Sequence, residues 1–330
     1  MTTGTTPTLR DVAQLASVSM STVSRVLNGK EGVADAKRLR VEQALRQLDY
    51  VTNISARALR GTRSMTYALL VDDLSSVSFS GLAESLTHIA LDDGCTLLIA
   101  TTQKTYARER AIVAAMRARH VDGLFVVAAS GDRAGERARR AVNLPVVYVE
   151  RFPPGVDADV VTFDYHRAGL DQIDRLWHDG HRRIGFLGGQ VSEDPGRRRI
   201  AAFRDGLRSH GLEAEPGLVS IGHLTEESAA AGLIAMMAGD EPPTAVVVTV
   251  APLLRAALTL CAERGWGLTI ASYECIDVPA LTPVPLLVTR GDLDELARTA
   301  ADILRSRIDH GPGEPRTVLL TTRTELHLPL

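Results

Sequence analysis

Apolar residues fall at helical spacing in three successive segments at the start of the chain and in short continuous runs beyond about residue 66. In "TLRDVAQLAS" the residues Leu9, Val12, Ala13 and Leu15 form one face, and Thr8 with Asp11 three residues on has the pattern of a capping box. In "SVSMSTVSRVLNG" Val23, Val26 and Leu27 lie at i, i+3 and i+4, which predicts a helix from near Met20. Ser19 is its expected N-cap, and Asn28-Gly29 supplies a stop. A third amphipathic helix is expected from about Asp35 to Leu48, with Leu39, Val41, Ala44, Leu45 and Leu48 closing a small three-helix core. The first two helices meet across Ser17-Val18, and the small Ala13 and Ala16 permit the close approach of a helix-turn-helix.

With Val23, Val26 and Leu27 turned inward, Met20, Ser21 and Arg25 project outward from the second helix. Short side chains let a helix enter a DNA major groove about 12 Å wide, and an arginine can grip guanine O6 and N7 together. The hydroxyls of this segment then read as groove and phosphate contacts. Charge supports that reading. Residues 1–63 carry ten Lys and Arg against five Asp and Glu, whereas the remaining 267 residues carry 27 against 35. Only the head is built to meet a polyanion.

The segment "NISARALRGTRS" has three arginines and helix-forming alanines but too few apolar residues for a core of its own, and reads as a linker that orders on a partner. Beyond it, "YALLVDD", "CTLLIATT", "GLFVVAA", "PVVYVE", "RIGFLGG", "GLVSIGH", "TAVVVTV" and "LTIASYE" are strand candidates separated by amphipathic helices. Such alternation predicts parallel α/β units, and continuous apolar strands predict sheets covered on both faces. The pattern divides into two halves, with crossings expected near Thr162 to Tyr165 and around Thr289 to Gly291. Three cysteines, Cys95, Cys261 and Cys275, show no CxxC or His/Cys spacing, so neither a disulfide framework nor a metal site is expected. The chain has no charged-then-apolar leader and no apolar run long enough to span a bilayer, and a cytoplasmic location is expected. Enzyme signatures are missing as well: there is no GxSxG, HExxH, SxxK or phosphate-cradling GxxxxGK[ST], and Asp72-Asp73, Asp92-Asp93 and Glu226-Glu227 read as strand ends or helix starts. No cofactor is expected.

The stretches "TLRDVAQLASVSMSTVSRVLNGKEGV" and "VEQALRQLDYVTNISARALRGTRS" closely resemble the start of the LacI/GalR family of bacterial transcription regulators, and the resemblance continues through "HVDGLFVV", "GHRRIGFLGG", "RIAAFRDGLRSHGL" and "PTAVVV". It implies a helix-turn-helix head at 1–50, a hinge helix at 51–63 and a two-lobed core of periplasmic-binding-protein type I at 64–330. The first lobe would hold about 64–162 and 291–321, and the second about 163–290 and 322–330. Residues expected to contact DNA are Thr8, Ser19, Met20, Ser21, Thr22, Ser24, Arg25, Asn28, Tyr50 and Asn53, with Leu59 as the hinge wedge in the minor groove. Carried over position by position, an effector pocket would involve Phe79, Asp164, Arg199 and Glu274. The chain departs from the family at Val250-Ala251, where Asn-Asp is usual, at Leu224, where a stacking ring is common, at Asp72, where proline is usual, and at Ala34, where a serine caps the third helix. Val250 is kept among the pocket positions despite its departure. The implied function is a sequence-specific regulator, expected to be a repressor, binding an inverted-repeat operator as a homodimer under control of a small molecule other than a simple free sugar. Alternatives are an effector-independent regulator of the same fold and a solute-binding protein.

Overall fold

The computed structural model describes residues 7–27, 32–50, 63–129, 144–153, 156–189, 195–274 and 282–329, and the chain divides into two units, Met1–Ser64 and Met65–Leu330. Asn28, Cys275 and the segment 51–62, which contains Asn53 and Leu59, lie outside the described residues.

In the first unit α1 spans Leu9–Leu15, α2 Met20–Leu27 and α3 Asp35–Gln47. The capping box is formed: Asp11 accepts from the Thr8 backbone N–H at 2.7 Å, and Thr8 Oγ1 accepts from the Asp11 N–H at 3.4 Å. Ser17 turns the chain between α1 and α2 with φ 51°, and the Val18 N–H closes the turn on the Ala13 carbonyl at 3.0 Å. Val12, Ala13, Ala16, Val23, Val26, Val41 and Ala44 are the buried core. Two expected core leucines are outside it, Leu15 at 43% exposure and Leu39 at 54%. At about 100° per residue, Leu39 lies two residues and about 200° before Val41, so it faces away from the α3 stripe of Val41, Ala44, Leu45 and Leu48. Leu15 is likewise rotated off the face set by Leu9, Val12, Ala13 and Ala16. Ala34 precedes α3 without a side-chain cap, and Asp35 is its first helical residue.

The second unit holds two six-stranded sheets. The first contains β1 (Thr66–Val71), β2 (Thr96–Thr101), β3 (Gly123–Val126), β4 (Val146–Val149), β5 (Asp159–Phe163) and β11 (Thr317–Leu320), in the order β11-β5-β4-β3-β1-β2 and parallel throughout. The second contains β6 (Ile184–Gly189), β7 (Val219–Gly222), β8 (Ala245–Val248), β9 (Thr269–Ser272), β10 (Leu286–Gly291) and β12 (Thr322–His327), in the order β12-β10-β9-β8-β6-β7. Its one antiparallel strand is β12, which pairs with β10 at the edge and departs from the all-parallel expectation. The alternating sequence "TRTELH" and its alternating exposure suit a strand with one wet face. The strands β1, β3, β5 and β8 are buried along their whole length, as their continuous apolar runs require.

Helices α4 (Val77–Asp92), α5 (Tyr106–Ala118) and α10 (Leu293–His310) belong to the first lobe, and α6 (Tyr165–His178), α7 (Gly196–Ser209), α8 (Glu226–Met237) and α9 (Ala251–Arg264) to the second. The chain passes between lobes after β5, after β10 and at Thr321 between β11 and β12. Close packing marks two places. A Cβ on Gly291 would come within 2.1 Å of the Phe163 ring, so these two crossings fit together only with glycine there. On α6, a Cβ on Gly169 would lie 2.3 Å from the Tyr273 hydroxyl and 2.5 Å from Ala202 Cβ of α7.

Candidate functional site

Two regions carry chemistry, one in each unit. On α2, Val23 and Val26 are buried while Met20, Ser21 and Arg25 are exposed, so the helix presents the short polar face its sequence predicts. Thr22 and Ser24 are half-buried at its margins. Ser19 Oγ accepts from the Thr22 N–H at 3.2 Å and lies 2.7 Å from Ser21 Oγ and 2.9 Å from Thr22 Oγ1. Ser19 and Thr8 thus cap their helices, and their exposed positions at helix N-termini also suit an anion, because free backbone N–H groups point outward there. Tyr50 is half-buried against the three-helix core, so much of its ring is occupied by packing.

In the second unit a cleft of about 1160 Å³ opens at the carboxyl ends of the strands of both sheets. In open α/β sheets such ends are where ligands bind, because loops diverge there around exposed helix starts. At its centre stands Arg199 of α7. Its guanidinium carbon lies 4.2 Å from the Tyr165 ring centre and 4.8 Å from that of Tyr273, and one terminal N–H donates to the Thr249 carbonyl at 2.8 Å. Stacking between two aromatic faces holds the guanidinium plane, a role lysine could not fill. Arg199 is 4% exposed, which rules out a solvated surface arginine.

Two carboxylates face this cation. Glu150, just past β4, accepts the hydroxyl proton of Tyr165, and desolvation pushes its pKa up to about 7 against the lowering pull of Tyr165 and Arg199. Glu274, just past β9, accepts from Ser78 Oγ at 3.2 Å, and burial raises its pKa too. The Tyr165 and Tyr273 hydroxyls are both raised above the usual tyrosine range, chiefly by burial. Glu150 has φ 65°, a left-handed conformation that a non-glycine residue adopts at a cost of about 1–3 kcal/mol. Its backbone is fixed there by an N–H bond to the Val161 carbonyl at 3.0 Å and by Thr162 Oγ1 donating to its own carbonyl at 3.0 Å.

Of the expected pocket positions, Phe79, Arg199, Val250 and Glu274 line the cleft, as do the departures Ala251 and Leu224. Asp164 does not: its carboxylate caps α6 by accepting from the Arg167 N–H at 3.0 Å, so its place at the crossover is structural. Asp72, recognised in the sequence only as a missing proline, is 1% exposed and paired with Arg151, which also donates to the Ala128 carbonyl. The sequence reading missed Glu150, Tyr165, Tyr273, Thr249 and Ser78. Three of them carried a signal of position, since Glu150, Thr249 and Tyr273 come directly after apolar strands.

Among the described residues no group of His, Cys, Asp and Glu could hold a metal ion, and no helix is long and apolar enough to cross a membrane. Cys95 and Cys261 are buried, and burial pushes the Cys261 thiol up to about 11, far from a reactive thiolate.

Comparison with known proteins covers both units. The sequence profile of bacterial regulatory proteins of the lacI family matches residues 8–53, and that of the periplasmic binding protein-like domain matches residues 173–326. The sucrose operon repressor of Klebsiella pneumoniae is 29% identical over 329 residues, covering 98% of each chain. The transcriptional regulator CelR of Thermobifida fusca is 29% identical over 330 residues, covering 96% of each. Among solved structures, a CelR–cellobiose complex superposes with a TM-score of 0.72 at 26% identity, covering 97% of this chain and 98% of that one. A lac repressor dimer bound to operator and an anti-inducer shares the fold with a TM-score of 0.86 at 22% identity, covering 99% and 100%. The α2 face, the two sheets with their three crossings and these end-to-end likenesses lead to one conclusion: along nearly its whole length the chain is similar to the bacterial regulatory proteins of the lacI family, and it is a DNA-binding transcription regulator.

Proposed function

We propose that the protein is a homodimeric repressor that reads an inverted-repeat operator with α2 and is controlled by a small molecule in the cleft of its core. The observation that carries the DNA half of this reading is the exposed Met20, Ser21 and Arg25 face of α2 above a wholly buried Val23. Residues 1–50 form the reading head in this proposal, 51–63 the hinge and 64–330 the sensing and dimerising core. Asn28 and Asn53 add polar contacts, and paired Leu59 side chains wedge the central base step, which favours an easily kinked CG, CA or TA. Relatives support the sign of regulation: the sucrose operon repressor of Klebsiella pneumoniae and the HTH-type transcriptional repressor CytR of Escherichia coli carry it in their names.

Effector control works by differential affinity. A ligand that binds one lobe arrangement better shifts the hinge away from, or toward, its DNA-ordered state. Val250, Ala251 and Leu224 give the cleft an apolar patch where ring hydroxyls would need partners, and each hydroxyl buried without one costs about 1–3 kcal/mol. Free neutral hexoses and pentoses are therefore not the effectors.

Selection of bound duplexes from a random pool, followed by footprinting, tests the proposal. It expects two symmetric half-sites, protected together and bent at the centre, with bending reduced in Leu59→Ala. A single isolated half-site, or unchanged bending in the variant, would overturn the dimer and hinge assignments.

A further inference from the structure

We infer that the cleft binds a ligand carrying a protonated amine, held between Glu150 and Glu274, with an oxygen acceptor on the same molecule reaching Arg199 and Thr249. This rests on the proposed sensing role of the cleft and names the chemistry of what is sensed.

Charge is the first sign. Arg199 is the only buried Lys or Arg among the described residues, and it faces two carboxylates at the strand ends. Nearby, Arg151 pairs with Asp72, Arg255 pairs with Glu226 at 2.8 Å, and Lys104 is exposed and also attracts Asp73. Glu150 is faced by Tyr165 of α6, Arg199 of α7, Glu274 and Arg151; Glu274 is faced by Ser78 of α4, Arg199 and Lys104. Against these two carboxylates there is thus a single buried cation, an excess of negative charge at the strand ends. Without a ligand this excess is relieved by a proton, and Glu150 keeps one up to about pH 7.

Hydrogen-bond capacity gives a second, independent sign. Arg199 Nε and Thr249 Oγ1 have no partner although their residues are 4% and 2% exposed, and both residues line the cleft. A buried donor left unmade is costly, so such groups mark the place of a missing partner. Nε can only donate, which calls for a ligand oxygen. The strained backbone of Glu150 is a third sign, because it directs a carboxylate into the cleft from a conformation the chain would otherwise avoid. Together these features describe an amino alcohol or amino sugar: an ammonium for the carboxylates, hydroxyl oxygens for Nε and Thr249, and a carbon face for Phe79 and Leu224.

The full-length protein can be titrated calorimetrically with matched pairs that exchange one hydroxyl for one ammonium, glucamine against glucitol and glucosamine against glucose, with glucose 6-phosphate as the anionic control. At least one amine should bind 10-fold or more tightly than its alcohol. Its binding at pH 7 should release protons, seen as a heat that differs between buffers of different ionisation enthalpy, because the incoming cation lowers the pKa of Glu150. Glu150→Gln should abolish the proton release and weaken the amine at least 10-fold, while Glu274→Gln should weaken the amine without abolishing the release. Alcohols or phosphate binding as tightly as amines, or no binding by any of the compounds, would overturn the inference. Gel retardation of the same preparation on its selected operator reports the regulator reading separately: retained DNA binding with no amine binding removes only this inference.

Discussion

Ser78 on α4 donates its hydroxyl to Glu274 beyond β9 at 3.2 Å, a hydrogen bond that runs from the first lobe to the second across the cleft. It stabilises the ionised form of Glu274 against the burial that raises its pKa. A bond of this kind to a charged acceptor contributes about 1.5–3 kcal/mol when the charge is present and less when it is not. Ser78→Ala should accordingly lower the melting temperature at pH 8 more than at pH 5. Equal losses at both pH values would show that Glu274 does not depend on Ser78.

A second prediction concerns pH. Glu150 has a folded-state pKa near 7 against an ordinary 4.5, so between those values the unfolded chain ionises while the folded chain holds its proton. Stability due to this group is full below pH 4.5 and falls as pH rises to about 7. Glu150→Gln keeps an acceptor for Tyr165 and removes the titration. Its melting temperature should fall less than that of the parent between pH 5 and pH 8, and a parallel decline in both would contradict the assignment.

Arg199 holds the Tyr165 and Tyr273 rings and the Thr249 carbonyl at once. Removing it leaves two acids facing each other without their shared cation, a change of the kind that costs about 3–5 kcal/mol when a buried charge loses its partner. Arg199→Ala should destabilise the fold at pH 8 and much less at pH 5, where the acids protonate. Arg199→Lys should recover part of the pH 8 stability through its charge and none of the stacking. Indifference to pH in Arg199→Ala would mean that the arginine acts by packing alone.

At Gly169 the packing leaves no room, with the Tyr273 hydroxyl 2.3 Å from where a Cβ would stand. Gly169→Ala should push Tyr273 aside, loosen the stack on Arg199 and weaken ligand binding in the cleft while leaving the α2 head intact. Thermal unfolding and ligand titration of this variant, beside DNA binding as the control, check it. Unimpaired cleft binding would show that the α6–α7 contact can yield at no cost to the site.

Much of this architecture was legible because the signals were local. Thr8 and Asp11, Ser19 before Met20, and the i, i+3, i+4 placement of Val23, Val26 and Leu27 each act within one helical turn, and the structure has them as read. Leu15 and Leu39 stay outside the core because apolar character alone does not fix the angle round the helix. The strands β5 and β10 went unread: "DVVTF" is five residues long and follows the sequence Pro-Pro-Gly, and "LLVTRG" follows two prolines that signal loop. The cleft was the least legible part. Arg199 comes from α7, Glu150 and Glu274 from just past β4 and β9, and Tyr165 from the start of α6, and only the crossing of two sheets brings them together. No spacing rule along one chain encodes that meeting. Asp72 illustrates the difficulty, since its pairing with Arg151 is 79 residues away.

Whether α2 reads bases is decided by comparing the parent protein with Arg25→Ala on the selected operator and on a scrambled duplex across a salt series. Loss of a bidentate guanine contact should cost about 1–3 kcal/mol on the operator, with almost no change on the scrambled duplex, whereas Lys37→Ala should weaken both alike and flatten the salt slope. Equal weakening of Arg25→Ala on both duplexes would contradict the account, because Arg25 would then be a phosphate contact and α2 would carry no sequence information through it.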